Sequence, residues 1–153
     1  MLENIKTYRR ISKSLHTAAQ PSTDQFQSIK QAGVDMIVNL ALSDSPDAIN
    51  NESEIVQECK MNYVHIPVDF KQPKLIDLKR YFQSMEQNKD KNVLVHCAYN
   101  WRASCFVYLY RVIKQDCDDD IAKQDMLAIW EPDTTWQSFI NTCLANKDDL
   151  RAE

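Results

Sequence analysis

Glycine is the scarcest residue of this chain. Gly33 stands alone among 153 residues, where the usual frequency of roughly 7% would supply about 11. That scarcity excludes a G-x-G-x-x-G dinucleotide fingerprint, a Walker-type phosphate loop, a G-x-S-x-G elbow and a collagen repeat. Each needs several glycines for positive φ or for close backbone approach. Any anion cradle must be built from other residues. Excess positive charge is missing too: 22 acidic against 18 basic residues leave a formal charge of -4. Overall charge therefore marks neither nucleic acid nor a membrane surface as a partner, although a small local basic site is compatible with it. No stretch approaches the roughly 18 apolar residues of a membrane span, and Met1 to Arg10 lacks the apolar region of a signal peptide. The five cysteines (59, 97, 105, 117 and 143) are odd in number and contain no CxxC. That pattern speaks against a disulfide framework or zinc site and for free thiols in a reducing compartment, the cytoplasm.

What is present is an ordinary globular composition, 44% hydrophobic and 26% charged. The length fits one domain over residues 1–153, with about 70% of the unfolded surface available for burial. Strand and helix patterns alternate along it. Ile11 to Thr17 reads as extended, an opening hairpin. Pro21 to Gln25 starts a helix, with Ser22 and Gln25 at capping-box spacing, and Gly33 closes it after about Ala32. Met36 to Leu42 predicts a buried strand and Ser43 to Asn51 a polar loop. Glu52 to Lys60 predicts a short helix with Ile55, Val56 and Cys59 inward, and Tyr63 to Ile66 a second strand. Lys74 to Asn88 is amphipathic, with Leu75, Leu78, Tyr81, Phe82 and Met85 at spacings of three and four. Asn92 to His96 has the apolar run of a central parallel strand, and a helix follows from about Ala103 to Lys114. Two more helices are expected near Asp119 to Ile129 and Asp133 to Ala145, with Pro132 between them and Asp133 as N-cap. The alternation predicts a three-layer α/β fold, a mostly parallel central sheet flanked by helices.

The densest chemistry lies in Val93-Leu94-Val95-His96-Cys97-Ala98-Tyr99-Asn100-Trp101-Arg102-Ala103-Ser104. A buried strand ends in His-Cys, a short loop follows, an arginine closes it and a helix begins. The crevice at the carboxyl end of a parallel strand is open to ligands. Backbone N–H groups of such a loop and of the helix start favour an anion there, and the same field favours the thiolate form of Cys97. Arg102 can grip two oxygens of an oxyanion at once. A thiolate beside an arginine in a nest of N–H groups suits attack on phosphorus or sulfur.

His16-Thr17-Ala18-Ala19-Gln20-Pro21, the Gly33-Val34 turn into Ile37 to Leu40, His65-Ile66-Pro67-Val68-Asp69, and Val93 to Ser104 occur in this order. On these residues the chain resembles the cysteine-dependent protein tyrosine and dual-specificity phosphatases. It is most similar to a small bacterial phosphatase-like group related to the domain fused to beta-lactamase-like hydrolases. The resemblance spans about Ile11 to Lys114. It implies hydrolysis of phosphate monoesters, on a phosphorylated protein or a small molecule, with no cofactor and no metal. It implies Cys97 as the nucleophile that forms a phosphocysteine, Arg102 as the binder of the phosphoryl oxygens and His96 as a brace for the loop. Asp69 would be the general acid that protonates the leaving oxygen, and Ser104 would assist breakdown of the intermediate. Ala98, Tyr99, Asn100, Trp101 and Ala103 would make up the substrate-binding loop.

The family signature has five residues between Cys and Arg, one of them glycine. Here four intervene (Ala98, Tyr99, Asn100 and Trp101) and none is glycine. Either the loop is one residue shorter, or it keeps its length and the arginine stands one place early, with Ala103 in the usual arginine position. Ser104 favours the second alignment, in which the arginine side chain is turned by about 100° around the helix. Asn100 would then replace glycine at a left-handed position, and Trp101 would form part of the pocket wall. Asp69 reads equally as a solvated loop carboxylate. His65 is expected to be a satisfied strand residue and His16 a surface one. Trp130 and Trp136 should pack the C-terminal helices onto the domain. Asp116 and Asp118 to Asp120 should complement a helix dipole. Two alternatives to hydrolysis stay open: an oxyanion-binding pseudophosphatase, and a rhodanese-like sulfurtransferase carrying a persulfide on Cys97. Oligomeric state is not legible.

Overall fold

The computed structural model describes residues 1–153. Five strands form one sheet: β1 (Arg9–Ser12), β2 (Leu15–Ala18), β3 (Met36–Asn39), β4 (Asn62–His65) and β5 (Val93–His96). Their order is β1-β2-β5-β3-β4. β1 pairs antiparallel with β2 in the opening hairpin, and β2, β5, β3 and β4 run parallel. The carboxyl end of β5 therefore lies in the middle of the sheet, between those of β2 and β3. Seven helices surround it: α1 (Gln25–Gln31), α2 (Glu52–Glu58), α3 (Leu75–Gln87), α4 (Trp101–Lys114), α5 (Asp119–Leu127), α6 (Thr134–Ala145) and α7 (Lys147–Ala152).

Three layers follow from the two-residue period of a strand. Met36, Val38, Val93 and Val95 point to one face, where they join Leu78, Phe106, Leu109, Trp136 and Ile140 of α3, α4 and α6 in the larger core. Ile37 and Leu94 point to the other face and meet Phe26, Ile29 and Val56 of α1 and α2 in a smaller one. A strand covered on both sides has no polar face, which is why Val93, Leu94 and Val95 of β5 are all apolar. No helix is long and apolar enough to cross a membrane, and all five cysteines are free.

Several local expectations need correction. β3 ends at Asn39, not Leu42, because the Asn39 Oδ1 accepts the Ala41 N–H (2.9 Å) and turns the chain. Only half of the Ser22–Gln25 capping box forms. Gln25 Oε1 accepts the Ser22 N–H (2.9 Å), but the Gln25 N–H bonds the Ser22 carbonyl, so the hydroxyl is not needed. The short helix α7 has too few residues to show a period in the sequence. His16 is not at the surface: it is 5% exposed. Its Nδ1 accepts from the Tyr8 hydroxyl (2.7 Å) and its Nε2 donates to Asn92 Oδ1 (2.9 Å). Among the acidic residues, Asp118 caps α5 by accepting the Asp120 and Ile121 N–H groups, and Asp116 pairs with Arg151.

Gly33 stands where α1 must stop and turn into β3, at φ +102°. A methyl group there would meet nothing closer than 3.9 Å, so the requirement is conformational, not steric. Gly33→Ala is expected to lower stability by roughly 1–3 kcal/mol in chemical denaturation with an unchanged m-value.

Candidate active site

The site is assembled where β5 ends. His96 and Cys97 are both fully buried. His96 Nε2 donates to Glu52 Oε2 at 2.6 Å, and its Nδ1 lies 3.3 Å from the Cys97 carbonyl oxygen. Glu52 opens α2 and is 3% exposed. Its second oxygen accepts from Gln20 Nε2 at 2.6 Å. Burial alone would raise the Glu52 carboxyl. The hydrogen bond and charge of His96, with the Gln20 bond, outweigh that and hold it below its ordinary value. The neighbouring Tyr63 hydroxyl is pushed up to about 12, first by burial and then by the Glu52 charge.

From Cys97 the chain makes a glycine-free loop. Asn100 adopts φ 72° and ψ 2°, the left-handed conformation expected of it, and serves as the N-cap of α4. Its amide nitrogen donates to the Thr7 carbonyl (2.8 Å) and to Thr17 Oγ1 (3.0 Å). The helix begins at Trp101, two residues earlier than expected, with Ser104 N–H to Asn100 C=O (2.9 Å) as its first bond.

Loop polarity follows from the peptide plane. The Ala98 carbonyl accepts the Gln20 N–H (3.2 Å) and the Tyr99 carbonyl accepts from Thr7 Oγ1 (3.3 Å). In a trans peptide the next N–H points the opposite way, so the Tyr99 and Asn100 N–H groups face away from these flanking segments. The backbone N–H groups of Ala98, Tyr99, Asn100, Trp101, Arg102 and Ala103 donate to no protein acceptor. Four of these, from the N-cap Asn100 to Ala103, are the orphan donors of any helix start and the other two belong to the loop. A contiguous run of free N–H groups through a left-handed turn is an anion nest.

Arg102 is 6% exposed. Its Nη1 donates to the Val68 carbonyl (2.9 Å), and its guanidinium carbon sits 5.9 Å from the Phe70 ring centroid. Asp69 lies between those two partners in the loop after β4. It is exposed, and its Oδ1 accepts the Lys71 N–H (2.9 Å). Arg102 and the Asp69 loop are thus brought together. Ser104 Oγ donates to the Trp101 carbonyl (2.9 Å) and accepts from Trp130 Nε1 (3.1 Å), so its hydroxyl hydrogen is engaged within the helix. Ala98 and Ala103 are buried, and Tyr99 and Trp101 line the rim. Behind the loop, burial pushes the Cys105 thiol far up. No group of three or more His, Cys, Asp or Glu side chains is placed to hold a metal.

Three contributors were missed by sequence reasoning. In the sequence Glu52 reads only as a helix start, Gln20 only as part of a motif, and Trp130 only as packing. Trp136 does pack, with its indole N–H on the Phe70 carbonyl (2.8 Å). Trp130 packs against the larger core as well, and it also stacks on Trp101, with centroids 5.0 Å apart and planes 8° from parallel.

A family model described as a DSP-PTPase phosphatase fused to NAD+ kinase matches residues 4–141. The chain belongs to this phosphatase family. A DUF442 protein from Shewanella putrefaciens CN-32, described as a candidate phosphatase, is 36% identical, with a TM-score of 0.87 over 95% of this chain and 96% of that one. At 16% identity, TpbA of P. aeruginosa in complex with phosphotyrosine shares the fold, with a TM-score of 0.74 over 95% of this chain and 88% of its own. The kinase associated phosphatase, carrying serine in place of its catalytic-site cysteine, also shares it: 13% identity, a TM-score of 0.77, and 95% of each chain. Curated proteins yield no match.

Because the Glu52 carboxyl is lowered in the fold, its stabilisation is present above the ordinary carboxylate range and is lost as pH falls through the lowered value. Glu52→Gln is expected to cost about 2 kcal/mol at neutral pH and to flatten the acid limb of stability against pH, measured by urea denaturation across that limb.

Proposed function

We propose that the chain hydrolyses phosphate monoesters through a cysteinyl-phosphate intermediate. The supporting observation is the run of six unpaired N–H groups that begins beside Cys97 and ends at Ala103. A phosphoryl group held there presents its phosphorus to the Cys97 sulfur. The thiolate attacks, an S–P bond forms and the ester P–O bond breaks. Asp69 gives its proton to the departing oxygen. Water then attacks the phosphocysteine, Asp69 takes a proton from that water, and the S–P bond breaks to release inorganic phosphate.

Arg102 engages the Val68 carbonyl with one nitrogen and has further donors for phosphoryl oxygens. The buried Glu52–His96 pair braces the loop. Ser104 assists the second step once its hydroxyl leaves the Trp101 carbonyl. Ala98, Tyr99, Asn100, Trp101 and Ala103 supply the backbone and walls of the substrate site. The left-handed Asn100 supports the alignment in which the loop keeps its length and the arginine stands one place early. In this reading residues 1–153 act as one phosphatase-like domain, its free thiols suited to the cytoplasm.

Turnover of p-nitrophenyl phosphate tests the reaction. Cys97→Ser should abolish it, and Arg102→Ala should lower kcat/KM by roughly 100-fold or more. Full activity in the serine variant overturns the mechanism, and phosphate binding without turnover in the native chain leaves only an oxyanion binder. Asp69→Asn should lower kcat by about 100-fold on phenyl phosphate and by less on p-nitrophenyl phosphate, whose leaving group needs less protonation. An equal loss on both esters removes Asp69 as the acid.

A further inference from the structure

A concavity opens at the same end of the sheet, beside Ala98 and Tyr99. It has a volume of about 520 Å³ and lies among the segment before β1, the loop after β2, the loop after β3, and Ala98 and Tyr99 of the candidate loop. Lys6 and Asp47 are the only charged residues lining it, and their charges cancel. Asn4, Ser22 and Thr23 present side-chain amide and hydroxyl groups that bond to no other protein group. Tyr99, 48% exposed, lines this cleft, and its backbone N–H belongs to the anion nest.

Neutral hydrogen-bonding groups around a cleft, with an aromatic ring at its mouth, match a neutral, hydroxyl-rich ring. Hydroxyls exchange water for amide and hydroxyl partners, and the apolar ring face lies on the aromatic side chain. A charged peptide has no complementary field there, since one positive and one negative side chain offer none. The volume is within the range of small-molecule sites.

We infer that this cleft binds the alcohol half of the substrate, and that the substrate is a phosphate monoester of a neutral polyhydroxylated ring. The inference rests on the phosphatase reading above. Sugar phosphates and nucleotides share that chemistry. The phosphate occupies the nest on the N–H side of the loop, and the ring passes over the Ala98–Tyr99 backbone into the cleft on its carbonyl side, where Thr7 and Gln20 stand.

Steady-state kinetics on the full chain with ribose 5-phosphate, glucose 6-phosphate, adenosine monophosphate, a phosphotyrosine peptide and phenyl phosphate test it. At least one hydroxyl-rich ester should exceed the phosphotyrosine peptide in kcat/KM by about tenfold or more. Whether the two sugars or the nucleotide leads distinguishes the sources. In a Ser22→Ala/Thr23→Ala variant, the ratio of that ester to phenyl phosphate should fall roughly tenfold, chiefly through KM. A preference for the phosphotyrosine peptide, or an unchanged ratio in the variant, overturns the cleft assignment. With Cys97-dependent turnover of phenyl phosphate intact, the phosphatase reading survives that result. Should no ester turn over, calorimetric titration decides. Tighter binding of ribose 5-phosphate or adenosine monophosphate than of inorganic phosphate, lost in the double variant, upholds the cleft without the hydrolase. Equal binding of all three overturns it.

Discussion

Glu52 and His96 lie 2.6 Å apart with 3% and 0% of their side chains exposed, and the candidate site is built on that contact. It joins the first residue of α2, on one side of the sheet, to the last residue of the central strand β5. A buried carboxylate without partners would be destabilising by several kcal/mol. Bonds from His96 and Gln20 offset that and hold it ionised. Gln20 in turn uses its backbone N–H on the Ala98 carbonyl. One buried anion thereby sets the orientation of the imidazole before Cys97 and fixes a carbonyl just after it. Loss of the carboxylate would leave both sides of the loop without their common anchor.

The second constraint is conformational. A strand that turns directly into a helix around an anion needs one residue with positive φ, and glycine ordinarily supplies it. Asn100 does so here because its amide has somewhere to go: the Thr7 carbonyl and the Thr17 hydroxyl. Those two bonds tie the loop to the segment before β1 and to β2. A glycine would adopt the angle more easily but would make neither bond. The chain therefore replaces backbone freedom with side-chain anchoring, and the loop becomes dependent on residues far away in sequence. Thr7 itself has φ 50°, so the segment that receives Asn100 is also held in an uncommon conformation.

Legibility in the sequence followed the range of the forces involved. The strands and most helices were readable, because period and capping are local. So was the His-Cys to Arg segment, where all the residues of the loop are consecutive and the left-handed role of Asn100 follows from its own side chain. Glu52 was invisible because an acidic residue at a helix start is already explained by the helix dipole. Nothing near it announces a histidine 44 positions away. His16 was misplaced for the same reason: its partners, Tyr8 and Asn92, come from other elements. Trp130 looked like any C-terminal packing residue until the fold laid it flat on Trp101.

The position of Arg102 has a structural reason in its neighbours. In the first turn of α4, Arg102 reaches the Val68 carbonyl and the face of Phe70, on either side of Asp69. Phe70 also packs near Trp101, Trp130 and Trp136, at centroid distances of 5.6, 5.8 and 5.9 Å. The loop carrying Asp69 is thus clamped between the guanidinium and an aromatic cluster that draws on the C-terminal helices. An arginine at position 103 would leave the helix about 100° away, off this axis, and Ala103 in the actual chain is fully buried. The ring that Arg102 faces, Phe70, is the same one on which Trp101 and Trp130 pack. The glycine-free turn at Asn100, the arginine at position 102 and the stacked tryptophan pair thus belong to one continuous packing arrangement around the loop.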